Sequence, residues 1–61
     1  MTCIFNSSKN HNVLSIKDLD IIPRIGEEVL FTSDNGVEIE TEVISVLHDL
    51  DENNVEITIN Y

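Results

Sequence analysis

The chain has little of what usually punctuates or staples a fold. Its 61 residues hold one proline, two glycines, one cysteine and no tryptophan. With Cys3 alone, an internal disulfide is impossible and a reducing compartment is expected, so the chain is read as cytoplasmic. No basic segment leads into an apolar run as in a secretory leader, and no apolar stretch approaches membrane-spanning length. Asn6-Ser7-Ser8 matches a glycosylation sequon, but without a leader it reads as chance. Only Phe5, Phe31 and Tyr61 are aromatic, so the core must come from Ile, Val and Leu, which suit strands.

Basic residues are scarcest of all in proportion. Three stand against twelve acidic ones, a net charge of −9 on a single small domain spanning residues 1–61. Such a surface repels DNA, RNA and anionic membranes, which excludes direct binding to them, and it fits a basic protein partner. The plain alternative is that the acids only keep the chain in solution. A hydrophobic fraction of 41% is ordinary for a folded domain, yet this length sits where one core only just offsets chain entropy.

What punctuation exists is placed to matter. Pro23 fixes φ and holds Ile22 extended, while Gly26 permits a geometry that other residues resist. Apolar residues on both sides make Ile21–Val29 a rigid turn between strands. Asn35-Gly36 is the clearest hairpin turn, read here with positive φ at both residues. Strands are expected over 2–6, over 13–17 with Leu14 and Ile16 on one face, and over 28–32 with Val29 and Phe31 on one face. Residues 13–22 also tolerate helix, but Pro23 limits its length. From Val37 the pattern alternates, with Val37, Ile39, Thr41 and Val43 inward and Glu38, Glu40 and Glu42 outward. Val43-Ile44-Ser45-Val46-Leu47 breaks that period, which predicts a bulge near Ile44-Ser45. A last strand runs over 55–61, its apolar face Val55, Ile57, Ile59 and Tyr61. About five short strands and no helix predict an all-β fold, a small five-stranded, strongly bent barrel.

Ile22-Pro23-Arg24-Ile25-Gly26-Glu27-Glu28-Val29, followed by Val43-Ile44-Ser45-Val46-Leu47-His48 and a final strand, resembles the small Src-homology-3-like barrels of bacteria and phages. In those proteins a Pro-x-x-Gly-Glu/Asp-x-Val turn opens a strand, and a later Val-x-x-Val segment packs against it. The resemblance covers roughly residues 13–61 and implies a fold. It supplies no catalytic residues, and the aromatic groove of proline-peptide-binding members is missing here.

Catalytic and metal chemistry finds little footing. Asp49-x-Asp51-x-Asn53 has the opening spacing of a calcium loop, but Asn54 stands where the loop needs Gly and Asn60 where it needs Glu. Cys3, His11 and His48 lack the close pairs of a zinc site. Cys3 with either histidine is the only conceivable nucleophile and base, and Cys3 lies in an apolar strand where a small buried residue is expected. No Gly-rich phosphate loop occurs. The expectation is no enzyme, no cofactor and no metal.

The acids themselves remain. Glu38, Glu40 and Glu42 recur about 7 Å apart along one strand face, comparable to neighbouring phosphates along a nucleic-acid strand. Asp34 lies at the adjoining turn, Glu56 is expected beside the row, and Asp49, Asp51 and Glu52 are expected at the rim. These residues predict a non-catalytic module that presents a negative surface to a basic site, in its sharpest form a nucleic-acid mimic. Small acidic inhibitors encoded by phages, including those directed at CRISPR or restriction systems, are of this type. The competing expectation is a structural or assembly module, a homodimer joined through Ile21, Ile22, Ile25 and Leu50 or through an open strand edge at 2–6 or 55–61.

Overall fold

The computed structural model describes residues 1–61. It is all-β: β1 (Thr2–Ser7), β2 (Val13–Asp18), β3 (Glu28–Thr32), β4 (Glu38–Asp49) and β5 (Asn54–Ile59). They form one sheet in the order β2-β1-β5-β4-β3. The pairing of β1 with β5 is parallel, and every other pairing is antiparallel. The sheet curls strongly into a half-barrel.

The curl follows from where the apolar residues fall. Cys3 and Phe5 of β1, Phe31 of β3, Ile39 and Val43 of β4, and Val55, Ile57 and Ile59 of β5 form one buried cluster. All three apolar residues of β5 are fully enclosed, because β5 lies in the middle of the sheet. Burial of each contributes about 1.5–3 kcal/mol. Phe5 and Phe31, near opposite edges of the sheet, meet with ring centroids 4.8 Å apart. Leu14, Leu19, Ile22, Val29 and Val46 pack around the rim.

β4 bends where its alternation fails. Val43 pairs with Ile59 and Ser45 with Thr58, so Ile44 is the extra residue of a bulge. Before the bend β4 runs beside β3, and after it beside β5. The Pro23–Glu27 turn docks on this bend. Gly26 N–H donates to the Val43 carbonyl and Val43 N–H to the Glu27 carbonyl, both at 2.9 Å. Glu27 N–H donates to the Arg24 carbonyl, closing a four-residue turn whose third residue, Gly26, has φ of 90°. A Cβ there would meet no atom within 4 Å, so it is φ that requires glycine.

Four expectations need correction. Asn35 does not take positive φ; only Gly36 does, at 89°. The Gly36 N–H donates to the Ser33 carbonyl, so Asp34 and Asn35 turn and Gly36 alone takes the left-handed step. Val37 is exposed, because the strand begins only at Glu38. Leu14 and Ile16 do not share a face: the register shift leaves Leu14 as the extra residue, half-buried against the core near buried Ser15, while Ile16 is exposed. β5 ends at Ile59, and Tyr61 lies exposed beyond it, its carbonyl accepting from the Ser7 hydroxyl at 2.5 Å.

Candidate protein-binding face

The hairpin of β3 and β4 carries the densest charge. Its register sets Glu28 opposite Glu42, Leu30 opposite Glu40 and Thr32 opposite Glu38, all exposed on the outer face. The main chain fixes how near they come. Ser33 N–H reaches the Val37 carbonyl and the Glu27 carbonyl accepts from Val43, so between these two bonds residues 29 and 31 point their N–H and C=O groups at β4. Residues 28, 30 and 32 therefore point theirs away, and Glu28 and Glu42 form a non-hydrogen-bonded pair, the kind whose side chains lie closest. Like charges so placed destabilise the sheet.

No cation relieves them. Arg24 is engaged with Glu27, through its main-chain N–H at 2.7 Å and its guanidinium at 3.2 Å. These bonds hold the Glu27 carboxyl below its ordinary value, the main-chain bond contributing most. The Lys17 ammonium lies over the Phe31 ring, 5.8 Å from its centre. Lys9 is in the turn after β1. The amino terminus pairs with Asp18 at 2.6 Å. A shallow groove of about 390 Å³ beside the acidic row is lined by Gly26, Glu28, Glu40, Thr41, Glu42 and Asn60, none of them apolar.

The remaining acids stand elsewhere. Glu56 is not beside the row: it pairs with Leu47, past the bulge, and with Ile4 on its other side. Asp34 is at the hairpin tip, where its N–H donates to the Leu14 carbonyl at 2.9 Å and its carboxylate accepts from Ser15 at 3.3 Å. That contact ties the hairpin to β2. Asp49 accepts from Glu52 N–H at 3.1 Å within the β4–β5 turn, which also carries Asp51. This turn lies at the far end of β4 from Glu38. The structure thus brings together Glu38, Glu40 and Glu42, and adds Glu28 and Leu30, which the sequence reading missed. The alternation of β3 and the length of the 33–36 turn would have found both.

Elsewhere the chemistry is sparse. Cys3 is fully buried, and burial pushes its thiol up, away from a reactive thiolate. No three His, Cys, Asp or Glu side chains come close enough to share a metal ion. No helix is long and apolar enough to cross a membrane. A second shallow groove, about 430 Å³, lies between the Pro23 turn and β4, lined by Ile22, Pro23, Arg24, Ile25, Val46 and His48. Neither a protein-family model, a curated protein nor a solved structure matches this chain.

Proposed function

We propose that this protein is a non-catalytic binding module whose outer β3–β4 face engages a basic site on another protein in the cytoplasm. The observation that carries the reading is the directly opposed pair Glu28–Glu42, flanked by Glu38 and Glu40 with no cation in the row. An arrangement that costs a small domain stability is accounted for if a partner uses it. Leu30, 62% exposed in the middle of the charges, adds an apolar anchor. In its sharpest form the row stands in for phosphates and occludes a nucleic-acid-processing enzyme, as a phage-encoded inhibitor of host defence would.

The test compares wild-type protein with Glu38→Gln/Glu40→Gln/Glu42→Gln as bait in host lysate, at low and high salt. Wild type should recover a basic protein at low salt and lose it at high salt, and the triple variant should fail to hold it. Equal recovery by both baits overturns the reading.

A homodimeric assembly module is the second reading. It is favoured by Ile21, Ile25 and Leu50, which are 86, 67 and 89% exposed. Residues 2–6 and 55–61 do not offer open edges for it, since β1 and β5 are each paired on both sides. Salt separates the two readings by sign. It weakens capture of a basic partner and strengthens association of two chains of charge −9.

A further inference from the structure

The acidic hairpin is also one end of the sheet. β3 pairs only with β4, and its other edge has no strand beside it. On that edge the N–H and C=O groups of Glu28, Leu30 and Thr32 point outward, by the alternation that Ser33 and Glu27 fix at its two ends. No turn or loop hydrogen bond reaches these groups, and the β4 ladder lies on the opposite edge. Three donors and three acceptors are thus set at the repeat of an extended strand, beside an exposed Leu30. Sheet edges are ordinarily guarded by lysine, proline or a bulge, and β3 has none of these. Its guard has one sign. Glu28, Glu40 and Glu42 repel another copy of this acidic chain and attract a positively charged strand.

We propose that β3 receives an extended basic segment of the partner protein as a sixth strand, with lysine or arginine side chains on the face of Glu28 and Glu42. Main-chain bonds would supply the affinity and the alternating charges the selection. The proposal rests on the acidic binding face, and it specifies the partner: an exposed segment in which basic and apolar residues alternate. The other edge strand is less open. On β2 the Leu14 carbonyl is already taken by Asp34.

The probe is a blocked octapeptide of alternating Lys and Val, followed by calorimetry and by amide exchange of the labelled protein. Two further peptides carry N-methyl groups, one on the lysine nitrogens and one on the valine nitrogens, leaving charge unchanged. The parent peptide should slow exchange of the Leu30 and Thr32 amides at least tenfold. One N-methylated peptide, and not the other, should bind at least tenfold more weakly, because only alternate peptide groups face β3. Leu30→Pro should abolish slowing at Thr32. Its lost N–H lies outside the β4 ladder, so the strand can accept it. If that variant does not fold, the N-methylated pair still decides.

Equal binding of all three peptides, lost in Glu28→Gln/Glu40→Gln/Glu42→Gln, overturns strand addition and leaves charge recognition standing. No binding by any peptide also overturns strand addition, while the acidic face is judged separately by the lysate experiment. Protected Leu30 and Thr32 amides without peptide, together with a doubled mass, would make a second copy the occupant and overturn the proposal.

Discussion

Glu28 and Glu42 face each other on the outside of the hairpin, and each repels the other more than any other pair the register creates. Glu28→Lys replaces that repulsion with attraction, and cross-strand pairs of this kind are worth about 0.2–1 kcal/mol. Its melting temperature should rise by up to roughly 4–8 °C, since about 1 kcal/mol moves a domain of this size that far. Added salt should raise the wild-type melting temperature and narrow the difference. A variant that melts with wild type at low salt would show that the pair carries no strain.

Titration acts at both ends of the pH scale. Burial raises the Cys3 thiol above its ordinary 9.0, and the bond to Asp18 raises the amino terminus above its ordinary 8.0. Both contributions are complete below those ordinary values and are lost as pH climbs through the higher folded ones. Glu27 is the reverse case. Its folded value lies below 4.5, so its contribution is complete above 4.5 and disappears as pH falls through the folded value. Urea midpoints should therefore decline on the alkaline side, less steeply in Cys3→Ala and Asp18→Asn. Glu27→Gln should soften the acid limb. Alkaline profiles that coincide in all three proteins would rule out these two groups as the cause.

Elements differ in how far residues alone reveal them. All five strands were legible, as was the bulge at Ile44, because period-two alternation and its interruption are local signals. The Pro23 turn was legible for the same reason, needing only a fixed φ and one permissive residue. β2 was not. Its core face depends on the strand it pairs with and on the register shift between Phe5 and Asn6, so Ser15 rather than Ile16 faces inward. The interior place of β1 was equally hidden, since nothing in residues 2–7 names residues 54–59 as partners. Within the acidic site, Glu38, Glu40 and Glu42 followed from alternation, whereas the exclusion of Glu56 required the strand order. β5 is the element whose damage should spread furthest. Ile57→Ala opens a cavity in the middle strand and should cost about 2–5 kcal/mol. Against the few kcal/mol available to so short a chain, that leaves much of it unfolded at 25 °C by circular dichroism. A two-state melt near the wild-type temperature would mean that β5 is not the centre of the core.

The whole molecule rests on a core of eight buried apolar residues, shared by four of its five strands. The parallel union of β1 with β5 joins the two sequence extremes of the fold, 52 residues apart from Thr2 to Asn54. On a ribosome adding about 5–20 residues per second, the first strand waits roughly 3–10 s for its neighbour to be made. Through that interval Cys3 and Phe5 lack the strand that joins them to the rest of the sheet. The sheet can therefore close only once β5 has been made.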